Sequence, residues 1–261
     1  MAKLQEVLEV LDRELRTGEI PDYPAAHNGL QFGNGINNTQ STQNTREIRK
    51  VICAVDASLA VIREAVSQGG DLLLVHHGLF WQGVRPVTGA LYEKYQLAME
   101  GGLAIYSSHI PLDIHPDYGN NVLLSRELGL GKGEAFFDWK GIRLGRKGFF
   151  KGSLGELRDL LSVAVGGPVM LRGSECDCAG MVGLITGGAG SEVEAMAKEG
   201  IDTFISGEGP HWSFPLAEEL GLNVLYAGHY ATETFGVRAI GRLLVEQFHL
   251  EMSFIDRPTG L

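Results

Sequence analysis

Cysteine is scarce: the 261-residue chain has three. So small and odd a number cannot staple a secreted fold, and it suits a reducing compartment, so a cytoplasmic location is expected. Cys176 and Cys178 form a C-x-C, but no second pair completes a zinc tetrahedron, and they read as ordinary thiols. No run approaches the roughly 20 apolar residues that cross a bilayer, which excludes a membrane helix. The N-terminus (MAKLQEVLEVLDREL) mixes apolar and charged residues at helical spacing, unlike a signal peptide. Basic residues are outnumbered, 22 Lys and Arg against 32 Asp and Glu, for a formal charge of −10. That balance disfavours the basic footprint of a nucleic-acid binder. Arg143, Arg146, Lys147 and Lys151 make the one basic cluster and read as a solvated strand-and-turn face. No G-x-S-x-G and no Walker lysine is present. TGGAGSE (186–192) invites a nucleotide reading, yet Val193 stands where a third glycine would fall, so it reads as a tight strand–helix turn.

What is present is alternation. An amphipathic helix is expected from about Ala2 to Thr17, ended by Gly18. A loop through Pro21, Pro24 and HNGLQFGNG follows, with a polar stretch from Asn37 to Arg46. Then come the strand VICAVDA, a helix opened by Ser58, the strand DLLLVHH, the helix YEKYQLAMEGG and the strand LAIYSSH. Continuous apolar strands alternating with helices predict a parallel sheet covered on both faces. The second half repeats the order with MVGLITGG, SEVEAMAKEG, IDTFISGE, FPLAEELG and LNVLYAGH. Between them, residues from about Phe136 to Arg172 read as strands and one helix of a second lobe. The expectation is an α/β fold of two intertwined lobes, 1–130 with 224–261 and 131–223, with mainly parallel sheets and a metal site between them.

The repetition extends to single residues. Glu64, Ala65, Asp71, Gly78 and Trp81 match Glu194, Ala195, Asp202, Gly209 and Trp212 with one gap. YSSHIPLD (106–113) matches YAGHYATE (226–233), both Y-x-x-H-x-x-x-acid after an apolar strand. Two such matches in one order suggest an internal duplication, or two halves converging on one shared site.

Chemistry concentrates at strand ends, where open α/β sheets gather ligands. His76 and His77 close DLLLV, and adjacent strand residues point to opposite faces, so the pair can address two ions. His109 with Asp113, and His229 with Glu233, are i, i+4 pairs after their own strands. The plainer reading of each motif is a solvated histidine at a strand end or a helix cap. Taken together, imidazoles and carboxylates suit zinc, manganese, iron, cobalt or nickel rather than calcium. A carboxylate able to bridge allows two ions about 4 Å apart. Glu208 takes the repeat position of His77 and can act as a general base or as the acceptor that fixes a histidine tautomer. His211 and His115 read as peripheral.

HNGLQFG (27–33), VHHGLFW (75–81), SHIPLDIHPDYGNN (108–121), SGE (206–208) and GHYATETFGV (228–237) together resemble the NGG-interacting-factor-three-like family. Many of its members are named GTP cyclohydrolase I type 2 homologs. The resemblance runs through essentially the whole chain, whose length resembles the short bacterial form without an inserted domain. It implies a dinuclear centre in which His76 and His77 contact different ions. Asp113 joins one ion, His229 the other, and Glu233 bridges; His109 supports the site, and Glu208 and His109 are the candidate catalytic residues. It also implies a toroidal hexamer and a metal-dependent hydrolase acting on a nucleotide. A dinuclear phosphohydrolase or phosphodiesterase, and a metal-binding scaffold, regulator or chaperone without turnover, are the rival expectations.

Overall fold

The computed structural model describes residues 1–33, 46–80, 83, 85–173 and 177–260. Most of the polar stretch from Asn37, Trp81 of the repeat and Cys176 of the C-x-C lie outside the described residues. The chain forms two compact units, residues 1–112 with 237–257, and residues 113–236 with the short segment from Pro258. The changeovers fall near 112 and 236, where the sequence suggested 130 and 223. Leu124 and Leu128 enter the core of the second unit, and Asn223–Tyr226 pairs within its sheet.

The first unit is built on a five-stranded sheet in the order Glu251–Phe254, Lys50–Asp56, Leu72–His77, Ala104–Ser107, Gly29–Phe32. The first four strands are parallel, and Gly29–Phe32 is an antiparallel edge. Alternate residues of Lys50–Asp56 serve opposite faces. Ile52 and Ala54 share a cluster with Val61, Ile62 and Ala65 of the helix Leu59–Ser67 and with Ala98 of Gly89–Glu100. Cys53 faces the helix Thr234–Phe248, which crosses so closely that a Cβ on Gly241 would stand 2.5 Å from Cys53 Sγ. Burial pushes that thiol up to about 12, so it is inert packing. Both faces are covered, which is why the strand is an unbroken apolar run.

The N-terminal helix spans Leu4–Leu15 and buries Leu4, Val7, Leu8, Leu11 and Leu15 along one stripe. It stops two residues earlier than Gly18 suggests, at Arg16 in the left-handed region (φ 51°). The Arg16 guanidinium meets Glu19 at 2.6 Å.

The second unit holds a six-stranded sheet in the order Glu134–Trp139, Ile142–Ser153, Cys178–Leu184, Thr203–Ser206, Asn223–Tyr226, Met170–Arg172. The parallel character is concentrated in Cys178–Leu184, Thr203–Ser206 and Asn223–Tyr226. The flanking pairings are antiparallel. One flank is a hairpin closed by Lys140 (φ 49°) and Gly141 (φ 83°), the two positive angles of a tight turn whose twist matches its strands. The helix Leu154–Val165 begins with a reciprocal cap: Glu156 N donates to Ser153 Oγ at 3.2 Å, and Ser153 N donates to Glu156 Oε2 at 2.7 Å.

The repetition read in the sequence recurs in hydrogen bonds. Asp71 N donates to Lys50 O, its carboxylate accepts from Lys50 N, and its carbonyl accepts from Ala104 N. Asp202 does the same with Met181 O, Met181 N and Asn223 N. Each aspartate fastens three neighbouring parallel strands where their parallel pairing begins. No described helix is long and apolar enough to cross a membrane.

Candidate metal centre

In the first unit the parallel register sets Asp56 opposite His77 at the carboxyl ends of their strands. His77 Nδ1 lies 2.9 Å from Asp56 Oδ1. The fully buried His76 lies with Nδ1 2.9 Å from the carbonyl of Ser108, and His109 Nδ1 is 2.9 Å from Asp22 Oδ1. The rings gather, with centroids 4.7 Å apart for His76 and His77, 4.9 Å for His76 and His109, and 5.6 Å for His77 and His109. One ligand atom from each of the three lies within 4.8 Å of the others.

Asp22 does more than meet His109. It accepts from Asn28 Nδ2 at 2.8 Å and from Ile110 N at 3.2 Å, while His109 N donates to Asn28 Oδ1 at 2.7 Å. Burial alone would raise the Asp22 carboxyl, but the bonds from His109, Asn28 and the Tyr23 amide hold it below the ordinary carboxylate range. Asn28 belongs to the HNG segment, which is how that motif reaches the site.

In the second unit His229 opens the short helix His229–Thr232 directly after a parallel strand. Its Nδ1 is 2.8 Å from Glu208 Oε1, and its Nε2 is 3.3 Å from Glu233 Oε2. Burial works against charge on this ring, but the Glu233 and Glu208 contacts prevail and hold its pKa at about 9. Carboxylate oxygens of Asp113 and Glu233 also lie within 4.8 Å of each other. Asp113 Oδ1 accepts from Asn120 Nδ2 at 2.8 Å and Thr186 Oγ1 at 3.3 Å. Asn121 carries the support outward: it donates to the Asp113 and Leu144 carbonyls and accepts from Thr186 N.

Backbone makes room for this cluster. A Cβ on Gly187 (φ 72°) would stand 2.2 Å from Glu233 Oε1, and one on Gly207 would stand 2.6 Å from His229 Cα. The TGG turn is thus a strand–helix turn, as its sequence suggests, and it also walls the carboxylate. Asp22 and Asp56 were not singled out in the sequence, while Asn120, Asn121 and Gly187 lay inside quoted motifs without a role of their own. An acidic residue ending VICAVD, beside a strand ending in histidines, was the available signal for Asp56.

Other candidates fall elsewhere. His115 accepts from Asp117 N and Tyr118 N through Nδ1 and serves its own turn. In the basic cluster, Lys147 pairs with Glu134 at 3.8 Å and lies 5.9 Å from the Phe136 ring centroid.

Fold and site define a class: an α/β protein of two large sheets and a small two-stranded one, with imidazoles and carboxylates able to hold divalent metal. The family model Duf34/NIF3 (NGG1p interacting factor 3) matches residues 2–259. A Deinococcus radiodurans protein named GTP cyclohydrolase 1 type 2 homolog is 39% identical over 259 residues, covering 98% of this chain and 94% of the relative. An Escherichia coli K12 protein of the same name is 32% identical, covering 98% of each. Among solved structures, reduced HcgD from Methanocaldococcus jannaschii matches with TM-score 0.84 at 30% identity over 98% of both chains. A crystal structure of a Thermus thermophilus protein matches with TM-score 0.80 at 34% identity over the whole of both. The chain belongs to the Duf34/NIF3 family, as its motifs indicate.

Proposed function

We propose that this protein binds two divalent ions per chain through His76, His77, Asp113, His229 and Glu233, and uses them to hydrolyse a nucleotide. The observation that carries the reading is the pre-set histidines. His77 and His229 each have Nδ1 against a carboxylate and His76 has it against a carbonyl, the arrangement that orients metal-binding imidazoles. Glu233 lies close to both Asp113 and His229, which supports a bridging role. The donor set suits zinc, iron, manganese or nickel. Bound there, such ions supply Lewis acidity for hydrolysis. Glu208 and His109 complete the reaction site, Glu208 by holding His229 and His109 by presenting an imidazole beside His76 and His77. The relatives' name points to GTP or a related nucleotide as substrate. A toroidal hexamer in the cytoplasm belongs to the same proposal.

The test is metal content of protein purified without chelator or nickel affinity. Two ions per chain, lost in His76→Ala and Glu233→Ala, support the reading; no uptake of zinc, manganese, iron or nickel overturns it. A nucleotide panel then separates activities, since formate release marks ring opening and phosphate without formate marks a phosphohydrolase. One observation favours a metal-binding scaffold without turnover: Glu208, the acidic candidate for a base, is committed to His229 at 2.8 Å. Full metal loading with no turnover across the panel would establish that second reading.

A further inference from the structure

We propose that Lys94 receives the phosphate of the substrate, so that the site takes nucleotides and not the nucleosides or bases derived from them. This rests on the nucleotide-hydrolase reading and names the group of the first unit that holds the anionic end. The placement of Lys94 follows from its helix. Gly89–Glu100 leads into Ala104–Ser107, a strand parallel to Leu72–His77, so the helix runs back against the direction of the strands. Its buried Ala98 packs in the cluster of Ile52, Ala54, Leu73 and Val75. Lys94 stands on the same face, one turn nearer the helix start. It is thereby nearer the carboxyl ends of the strands, where Asp56 and His77 lie opposite each other.

There its charge has no match. Lys94 is half-buried, yet its ammonium makes no hydrogen bond or ion pair among the described residues. Burial holds it below the ordinary lysine range, and the attraction of Asp56 offsets only part of that. Asp56 is itself bonded to His77, 2.9 Å from Nδ1. Other carboxylates of the helix are taken as well: Glu93 pairs with Arg63, and Glu100 accepts from Gln96 Nε2 at 2.9 Å. In a chain with 32 acidic residues and 22 basic ones, a half-buried ammonium is not left over for want of carboxylates. A divalent ion on His77 would claim the Asp56 charge and repel the ammonium, which an anion from outside the chain relieves. Phosphate has several oxygens to share between such cations, and lysine meets it as a point charge. A neutral nucleoside brings no such charge.

The experiment uses the full chain loaded with zinc, with inorganic pyrophosphate, GTP and guanosine as probes in titration calorimetry. Wild type should bind guanosine at least about 10-fold more weakly than GTP. Lys94→Gln should weaken GTP and pyrophosphate by about 10- to 100-fold, with guanosine binding and metal content unchanged. Lys94→Arg should restore most of that loss. Lys151→Gln, which removes an exposed charge, should change nothing. Without ligand, Lys94→Gln should melt as wild type does, because no protein partner is lost. If Lys94→Gln, folded and metal-loaded, binds GTP and pyrophosphate as tightly as wild type, Lys94 is not the phosphate contact. An equal loss in Lys151→Gln would mean net charge alone and overturns the assignment too. If Lys94→Gln does not fold, Lys94→Met decides, since it keeps an unbranched stem of similar length. Wild type that takes up two ions and binds none of the three probes removes this inference and leaves the metal centre standing; wild type that takes up no metal removes both.

Discussion

His229 is clasped by two carboxylates at once, Glu208 on Nδ1 at 2.8 Å and Glu233 on Nε2 at 3.3 Å. Without metal, this ring keeps a proton to about pH 9. The folded value lies above the unfolded one, so the stabilisation is fully present below about pH 6.5 and is lost as pH rises through about 9. It amounts to about 3 kcal/mol at most. Urea midpoints of chelator-treated protein, measured from about pH 6 to about pH 10, should fall across that window. Glu233→Gln should flatten the fall.

A divalent ion must displace that proton. Binding at neutral pH should release about one proton per chain from His229, seen as a calorimetric enthalpy that changes with the ionisation enthalpy of the buffer. The same heat in all buffers would mean that His229 does not receive the ion.

Gly187 has a positive φ, and a side chain there would strike Glu233. Gly187→Ala should cost roughly 2 kcal/mol or more, by strain and crowding together, and should lower metal affinity. Thermal melts with and without zinc would separate the two effects, since the gap between them should shrink.

Gly241→Ala tests the helix crossing in the first unit. Helix propensity favours alanine by about 1 kcal/mol, but a Cβ 2.5 Å from Cys53 Sγ should reverse the sign and leave a net loss of about 1 kcal/mol or more. Removing the sulfur with Cys53→Ala should relieve part of the clash, the rest being with Met252 Cε and Sδ at 2.8 and 2.9 Å. The double variant should be more stable than the sum of the two singles predicts, by urea denaturation.

Ser153→Ala breaks the reciprocal cap of Leu154–Val165. About 1 kcal/mol should be lost, and Ser153→Asp should retain most of the stability. Equal stability of the alanine variant would mean that the cap contributes nothing net.

Much of this was legible in the chain. VICAVD and LLLVHH announce buried parallel strands because both of their faces are covered, and the two Y-x-x-H-x-x-x-acid octapeptides mark equivalent ends of a repeated unit. The family was legible for the same reason, since its motifs sit at those ends. The supports of the histidines were not. Asp56 meets His77 only because the register pairs them across 21 residues, and Asp22 meets His109 across 87. Local patterning carries no trace of such distant pairs. Arg16 ending the first helix was hidden because any residue with a local partner can take a left-handed angle that glycine takes at less cost. The antiparallel flanks of the second sheet were hidden too, since Lys140–Gly141 lacks the usual Asn-Gly of a two-residue hairpin.

The edge strand Glu251–Phe254 lies parallel to Lys50–Asp56, from which most of the chain separates it. At ribosomal speed its roughly 200-residue delay lasts about 10 to 40 s, during which the emerging first sheet carries an open apolar edge. Residues 113–236, contiguous in the chain, can complete their own sheet before then. The unit that begins first therefore finishes last, with its edge closed only near the end of synthesis.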